Sequence, residues 1–293
     1  MRVLIFGATG MLGHKLYQRL GGEFEVFGTI RSDFAPVEKF GIFDKRSIIE
    51  GVDVTDTGSI CRALETAKPN CVINAVGVIK QLPQASDVIH ACSINSIFPH
   101  QLAGFSTEFG FRLITISTDC VFDGKKGNYT EDDLPNARDV YGLTKLLGEV
   151  AGTDALTIRT SMIGRELGSK HSLVEWFLGC GGESVKGYVN AIYSGFPTIV
   201  LTQIIGDIIN HHRELRGLYH VSSEPINKFD LLSLVNERYS ADINIEPFPD
   251  CVIDRSLDSS KFRAATGFKP AAWDDMIEEM AADPTPYAAW HHK

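Results

Sequence analysis

The sequence predicts an α/β fold with a doubly wound parallel sheet, and three observations support this prediction. A continuous apolar run at residues 3–6 is followed by glycines at 7, 10 and 13, and then by leucines at helical spacing. Short apolar segments and helical patterns continue to alternate up to about residue 160. Repeated β-α units of this kind form a parallel sheet with helices on both faces.

Each predicted element rests on a local pattern. Short runs rich in Val, Ile and Leu are typical of strands buried on both faces, and apolar residues three or four apart are typical of helices. The predicted strands are residues 3–6, 25–30, 47–53, 71–75, 112–117, 155–160 and 218–221. The predicted helices are residues 12–20, 57–67, 91–109, 141–150 and 202–212.

Three glycines, Gly7, Gly10 and Gly13, stand between the first predicted strand and the first predicted helix. Because glycine has no β-carbon, it permits a tight turn and a close approach of phosphate to the backbone. The helix N-terminus behind such a turn attracts anions. This placement predicts a dinucleotide-binding site.

The end of the second strand indicates which dinucleotide is preferred. An acidic residue there would bind the ribose diol of NAD, but this strand is followed by Arg31 and Ser32. A guanidinium group makes bidentate bonds to phosphate oxygens, which suits the 2′-phosphate of NADP. NADP(H) is therefore favoured, and NAD(H) is the alternative.

Tyr141 and Lys145 lie four residues apart in a predicted helix, so their side chains share one face. A nearby cation stabilises a phenolate, which makes a tyrosine a usable proton donor near neutral pH. Together with the glycine turn, this pair indicates a nicotinamide-dependent reductase.

Composition narrows the alternatives. The net charge of −9 gives no support for nucleic-acid binding, and no apolar run is long enough to span a membrane. The apolar start, residues 1–6, is too short for a signal peptide. The six cysteines lack metal-ligand spacing, so we expect them to be reduced thiols in a cytoplasmic protein. The adjacent His211 and His212 diverge on a helix, so we expect no metal site there either.

The motifs resemble those of the extended short-chain dehydrogenases/reductases, and most closely the dTDP-4-dehydrorhamnose reductase group. The early matching motifs are Gly7-Ala8-Thr9-Gly10-Met11-Leu12-Gly13, Asn74-Ala75-Val76-Gly77, Ile94-Asn95 with Pro99, Ser117-Thr118-Asp119-Cys120-Val121-Phe122-Asp123-Gly124 and Val140-Tyr141-Gly142-Leu143-Thr144-Lys145. The later ones are Ile158-Arg159-Thr160-Ser161, Gly217-Leu218-Tyr219-His220-Val221-Ser222 and Arg255-Ser256-Leu257-Asp258. The sequence departs from the group at Cys120, where an aromatic residue is usual, and in a slightly shorter loop after Asp123.

The resemblance implies roles for three catalytic residues. Thr118 would hydrogen-bond the substrate carbonyl, Tyr141 would donate the proton, and Lys145 would hold the nicotinamide ribose and stabilise the phenolate. Ser117 is the alternative hydroxyl, but neighbouring strand residues point to opposite faces, so only one of the two serves the site.

The remaining site residues are assigned from these patterns and the resemblance together. The predicted cofactor contacts are Gly7, Thr9, Gly10, Met11, Leu12, Gly13, Arg31, Ser32, Asp53, Val54, Ala75, Val76, Gly77, Tyr141 and Lys145. The predicted substrate contacts are Lys80, Thr118, Asp119 and Arg255. Phe122 is expected to pack in the interior, and Asn95 to serve as scaffold.

The pattern of alternation along the chain also indicates a domain plan. Residues 1–160 with 193–222 are expected to form a dinucleotide-binding Rossmann domain. Residues 161–192 with 223–293, where the β-α alternation weakens, are expected to form a smaller C-terminal α/β substrate-binding lobe.

The function implied is NADPH-dependent reduction of a nucleotide-activated 4-keto-6-deoxyhexose in nucleotide-sugar biosynthesis, by a protein that could assemble as a homodimer. Two alternatives stay open. One is a sugar-nucleotide epimerase or dehydratase, and the other is a non-catalytic NADP-binding regulatory subunit.

Overall fold

The computed structural model describes residues 1–79, 87–151 and 155–291. The strands are β1 (Arg2–Phe6), β2 (Glu25–Thr29), β3 (Ile48–Ile49), β4 (Cys71–Asn74), β5 (Arg112–Thr118), β6 (Ala155–Thr160), β7 (Met162–Ile163), β8 (Ser184–Tyr188), β9 (Ala191–Tyr193), β10 (Phe196–Pro197), β11 (Gly217–His220), β12 (Ile226–Asn227), β13 (Asn244–Phe248) and β14 (Ile253–Asp254). The α-helices are α1 (Gly13–Leu20), α2 (Ala35–Glu38), α3 (Thr57–Ala67), α4 (Val88–Cys92), α5 (Phe98–Phe109), α6 (Val140–Leu147), α7 (Leu173–Leu178), α8 (Thr198–His211), α9 (Lys228–Tyr239), α10 (Ser260–Thr266), α11 (Trp273–Ala281) and α12 (Tyr287–His291).

Seven strands form one sheet in the order β11-β6-β5-β4-β1-β2-β3. β1 pairs in parallel with both β2 and β4, and β2–β3 and β4–β5 are also parallel. The strand order therefore reverses between β1 and β4, and the predicted doubly wound parallel fold is confirmed. In such sheets ligands bind beyond the carboxyl ends of the strands at this reversal.

The alternation of side chains along β1 explains the two helical layers. Leu4 and Phe6 belong to a buried cluster that includes Ile60 and Leu64 of α3 and Phe98 of α5. Val3 and Ile5, which point to the opposite face, are also fully buried. A strand that is apolar at every position is thus covered on both faces.

Contacts divide the chain into two compact units. The first unit comprises Met1–Ser117, Asp139–Ile158 and Thr202–Leu218, and the second comprises Thr118–Arg138, Arg159–Leu201 and Tyr219–Lys293. This division differs from the predicted boundaries, which placed residues 118–138, 159–160, 193–201 and 219–222 with the first unit.

Backbone hydrogen bonds explain why the segment after β5 belongs to the second unit. Asp254 N donates to Gly124 O at 2.7 Å, and Asn128 N donates to Ser256 Oγ at 2.8 Å. Tyr129 forms an isolated parallel bridge with Leu257. These contacts span more than 120 residues of sequence, so local patterns could not predict them.

The second unit contains small sheets and several helices. β12, β9 and β14 form a three-stranded sheet, and β10–β7 and β13–β8 form two-stranded sheets. Within the described part of the chain, no helix combines the length and apolar character needed to cross a membrane.

Candidate active site

The glycine turn lies between β1 and α1 in the first unit. Gly7 has a φ of +84°, a conformation that disfavours other residues, and its N–H donates to Thr29 Oγ1 at 3.2 Å. Gly10 N donates to Gly7 O at 3.0 Å. A β-carbon on Gly13 would lie 2.0 Å from Gly7 O, so the turn and the helix can approach this closely only with glycine at 13.

This turn fits the phosphates of a dinucleotide. It follows the carboxyl end of β1, and the loop Ala75–Gly77 follows the carboxyl end of the adjacent β4, where the strand order reverses. The two are in contact, because a β-carbon on Gly7 would lie 2.9 Å from Val76 Cγ2. Helix α1 begins at Gly13, directly after this turn, so the positive end of its helix dipole favours an anion there.

Arg31 and Asp53 lie beyond the next strands of the same sheet. Both are exposed, as is Ser32. Asp53 Oδ1 accepts hydrogen bonds from Thr55 Oγ1 at 2.7 Å and Thr55 N at 2.9 Å. These bonds lower the pKa of Asp53, and the positive charges of Arg31 and His90 lower it further. The structure therefore brings Arg31 and Asp53 close enough to interact, while Val54 is buried.

Tyr141 and Lys145 lie on α6, also in the first unit. Asp139 caps this helix by accepting a hydrogen bond from Gly142 N at 2.9 Å. Lys145 is buried, and its Nζ donates to Ile116 O of β5 at 2.6 Å. Burial lowers the pKa of Lys145 to about 8, although the carboxylate of Glu149 opposes this effect.

The two candidate hydroxyl residues of β5, Ser117 and Thr118, bond to different carboxylates. Ser117 Oγ donates to Glu149 Oε1 at 2.6 Å, whereas Thr118 Oγ1 donates to Asp119 Oδ1 at 3.1 Å. The two neighbouring hydroxyls therefore have different carboxylate partners, as strand alternation predicts. Thr118 as the substrate contact stays a prediction.

Thr118, Asp119 and Arg255 lie in the second unit. The Thr118 hydroxyl accepts a hydrogen bond from Cys120 N at 3.1 Å. Arg255 Nε donates to Phe122 O at 2.9 Å, which ties the Arg255 segment to the chain that follows Thr118. Phe122 is fully buried and stacks on Tyr129 with a centroid distance of 4.1 Å, so its predicted packing role is confirmed.

Among the predicted site residues, the first unit thus holds the cofactor set together with Tyr141 and Lys145, and the second holds Thr118, Asp119 and Arg255. Lys80 lies outside the described residues. Among the described residues, no group of three or more His, Cys, Asp or Glu side chains is arranged to hold a metal ion. All six cysteines are free thiols.

Asn95 is a buried scaffold residue, as the sequence suggested. It lies in a single π-helical turn, Ser93–Ile97, a feature that often accompanies functional sites. Its Oδ1 accepts from Val78 N at 2.9 Å, and its Nδ2 donates to Val78 O at 3.2 Å and to Thr144 Oγ1 at 3.1 Å. Asn95 therefore connects the loop after β4 with the helix that carries Tyr141 and Lys145.

The sequence analysis did not assign a role to Thr29 or Glu149. Thr29 holds the glycine turn through Gly7 N, and Glu149 acts on Lys145 and accepts from Ser117. Thr29 lies in no motif with a recognised spacing. Glu149 lies four residues after Lys145, and this i, i+4 spacing of opposite charges could have indicated its role.

The shifted pKa of Lys145 predicts a pH dependence of stability. The pKa is about 8 in the folded protein and 10.5 in the unfolded chain, so the unfolded chain binds more protons between these values. This group should therefore make the free energy of unfolding rise with pH from about 8 to about 10.5, by at most about 1.4 kcal/mol per pH unit.

Lys145→Met should remove this contribution, because methionine has no titratable group. The measurement is urea unfolding of both proteins at several pH values across that window. Parallel pH dependence in the two proteins would show that Lys145 keeps its ordinary pKa.

Known proteins resemble this chain in both sequence and fold. A family model described as the RmlD substrate binding domain matches residues 1–285. The chain belongs to this family. It is therefore an extended short-chain dehydrogenase/reductase by both fold and motif order, as the sequence predicted.

The proteins similar to this chain include named reductases. The chain is 27% identical to the dTDP-4-dehydrorhamnose reductase of Aggregatibacter actinomycetemcomitans over 315 residues, covering 96% of this chain and 98% of that protein. A crystal structure of a hypothetical dTDP-4-dehydrorhamnose reductase from Sulfolobus tokodaii has a TM-score of 0.77 at 27% identity, covering 94% of this chain and 98% of that one.

A third relative has a different name. The chain is 33% identical to methionine adenosyltransferase 2 subunit beta of Rattus norvegicus over 155 residues, which cover 51% of this chain and 42% of that protein. This likeness extends over half of the chain, whereas the likeness to the reductases extends over nearly all of it.

Proposed function

We propose that this protein is an NADPH-dependent reductase of a nucleotide-activated 4-keto-6-deoxyhexose in nucleotide-sugar biosynthesis. The observation that carries the proposal is the end-to-end likeness to a dTDP-4-dehydrorhamnose reductase, which covers 96% of this chain and 98% of that protein. Tyr141 and Lys145 are present on one helix face, so the chemistry has its donor. The same proposal places the protein in the cytoplasm, with a homodimer as the expected assembly.

The turn from Gly7 to Gly13 and the loop Ala75–Gly77 would hold the cofactor. Their closely approaching backbones and the positive end of the α1 dipole suit a pyrophosphate. Arg31 would contact the 2′-phosphate, and Asp53 would lie near the adenosine. The cofactor supplies a hydride to the ketone carbon when it is bound.

Tyr141 would protonate the ketone oxygen as negative charge develops there, because hydride addition leaves an alkoxide. Lys145 would hold the nicotinamide ribose and favour the phenolate that Tyr141 becomes. Thr118 would donate a hydrogen bond to the same oxygen. Arg255 would bind the diphosphate of the sugar nucleotide, since guanidinium groups bind phosphate oxygens bidentately.

A second candidate function is a non-catalytic NADP-binding subunit of another enzyme. It is favoured by the 33% identity to methionine adenosyltransferase 2 subunit beta, although that match covers only 51% of the chain. Both candidate functions require a dinucleotide at the glycine turn, so cofactor binding alone does not distinguish the reductase from the subunit.

Net oxidation of NADPH by the purified protein separates the candidates. We expect consumption of NADPH with dTDP-4-keto-6-deoxyhexose and formation of a 4-hydroxy sugar in equal amounts. A cofactor that copurifies and is not consumed indicates an epimerase or dehydratase. Binding of NADPH without turnover of any keto-sugar nucleotide indicates the regulatory subunit and rejects the proposal.

Arg31→Ala should weaken NADPH binding and leave NADH binding nearly unchanged, because only NADPH carries the 2′-phosphate. A charge-assisted hydrogen bond contributes about 1.5–3 kcal/mol, so the preference for NADPH should fall by roughly 10- to 100-fold. The measurement is the ratio of kcat/KM with the two cofactors at fixed salt, since exposed phosphate contacts are screened.

Arg2→Ala is the matched control. Arg2 is a partly exposed arginine of β1 whose Nε pairs with Glu25 at the amino end of β2, whereas the exposed Arg31 lies beyond the carboxyl end of β2. The control should leave the cofactor ratio unchanged. A wild-type preference for NADH would defeat the assignment of Arg31.

A further inference from the structure

A buried carboxyl group adjoins the predicted catalytic hydroxyl. Asp119 is only 6% exposed, and its Oδ1 is 3.1 Å from Thr118 Oγ1. Thr118 is itself 7% exposed. The hydrogen bond between them is therefore largely shielded from water.

The hydroxyl of Thr118 has one hydrogen and two lone pairs. One lone pair accepts the hydrogen bond from Cys120 N at 3.1 Å. If Asp119 is ionised, it can only accept, and the hydroxyl hydrogen is used in the bond to Oδ1. Thr118 then presents only a lone pair to a ligand, and a lone pair cannot donate to a ketone oxygen.

The surroundings of Asp119 disfavour its charge. Among the described residues Asp119 makes no salt bridge, and the nearby Arg255 directs its Nε to Phe122 O. A buried carboxylate without an ion pair is costly. Burial accordingly raises the pKa of Asp119, although Arg255 and hydrogen bonds from Thr118, Cys120 and Ser161 oppose the shift.

The other titratable groups that act on this carboxyl are few. Tyr193 of β9 is buried, and the charge of Asp119 adds to burial in raising the pKa of its phenol. Arg255 provides the positive charge, and Cys120 is the neighbour on the same 3-10 turn. Arg255 therefore opposes a neutral Asp119, but burial has the larger effect on the pKa of this carboxyl.

We propose that Asp119 is a neutral carboxylic acid that donates its hydrogen to Thr118 Oγ1 and so frees the Thr118 hydroxyl hydrogen for the ketone oxygen of the substrate. Asp119 is then a positioning residue, because it acts through Thr118. No proton is lost from Asp119 in the cycle, since the alkoxide receives its proton from Tyr141. This inference rests on the proposed reductase function and adds the protonation state that this function requires.

Two substitutions of similar size test the donor role. Asp119→Asn keeps a donor, Nδ2, that can reach Thr118 Oγ1, whereas Asp119→Leu keeps the volume and has no donor. We expect kcat to fall by less than about tenfold in the Asn variant and by about 10²-fold or more in the Leu variant, the range for losing a hydrogen bond to a developing oxyanion. Equal losses in the two variants, or no loss in either, would overturn the proposal.

A second measurement needs no substitution and no turnover. In wild-type protein labelled with ¹³C at the aspartate carboxyl, one aspartate should stay protonated near neutral pH while the others ionise at low pH. If every aspartate is ionised at neutral pH, the proposal is wrong. Because this result is independent of substrate, an inactive protein with one protonated aspartate would reject the reductase function and keep the neutral Asp119.

Discussion

Replacing Tyr141 with Phe should lower kcat by roughly 10²–10⁴-fold, the range for losing a positioned general acid. The substitution removes only the phenolic oxygen and leaves α6 and its Asp139 cap in place. NADPH affinity should therefore change little. The measurements are kcat with the keto-sugar nucleotide and the NADPH dissociation constant by fluorescence titration.

Tyr188→Phe is the matched control, because it removes a phenolic oxygen from β8 of the second unit, in a side chain that contacts Phe248. It should keep kcat near the wild-type value. Near-normal turnover by the Tyr141 variant would reject Tyr141 as the proton donor and would leave the family membership of the chain untouched.

Gly13→Ala should destabilise the protein and abolish measurable NADPH binding. The added β-carbon would lie 2.0 Å from Gly7 O, 2.8 Å from Gly7 C and 3.1 Å from Ala8 Cα. These obstacles are all backbone atoms, so the turn itself must move. Overpacking of well-packed sites costs about 1–3 kcal/mol and occasionally more, and we expect the upper end here.

Two other glycine-to-alanine changes separate stability from cofactor binding. At Gly10 the nearest atoms to an added β-carbon are Gly7 O at 3.3 Å and Ala75 O at 3.9 Å, so Gly10→Ala should need only a small local shift and destabilise the fold far less than Gly13→Ala, but weaken NADPH binding. At Gly104, exposed on α5, nothing lies within 4 Å, so Gly104→Ala should stabilise the helix by about 0.5–1 kcal/mol and leave binding unchanged.

Thermal unfolding and NADPH titration of the three variants test this order. If Gly13→Ala is as stable as the wild type, the close approach between Gly7 and Gly13 is not required by the fold. If Gly10→Ala binds NADPH normally, the phosphates do not approach the turn at that position.

The sequence predicted the central sheet well because its signals are local. A strand that is covered on both faces needs an apolar residue at every position, as in residues 3–6, and helix α3 was predicted with the bounds Thr57–Ala67 that the structure shows. The glycine turn was also predicted from a local signal, because three glycines stand at positions 7, 10 and 13 between a strand and a helix. The family, likewise, follows from motifs read in order.

The tertiary structure alone decided which partner each site residue has. Long-range hydrogen bonds place Asn95 between Val78 and Thr144, and Thr29 against Gly7. The segment that begins at Thr118 joins residues 253–258 through bonds that span more than 120 positions.

One physical reason explains why the sequence determined some features and only the tertiary structure decided others. Backbone conformation follows from the pattern of a few neighbouring residues, so the chain by itself determined the strands, the glycine turn and the helix that carries Tyr141 and Lys145. Burial and electrostatic surroundings depend on residues distant in sequence, so only the folded chain decided that Lys145 has a pKa of about 8 and that Asp119 is buried without a salt bridge among the described residues.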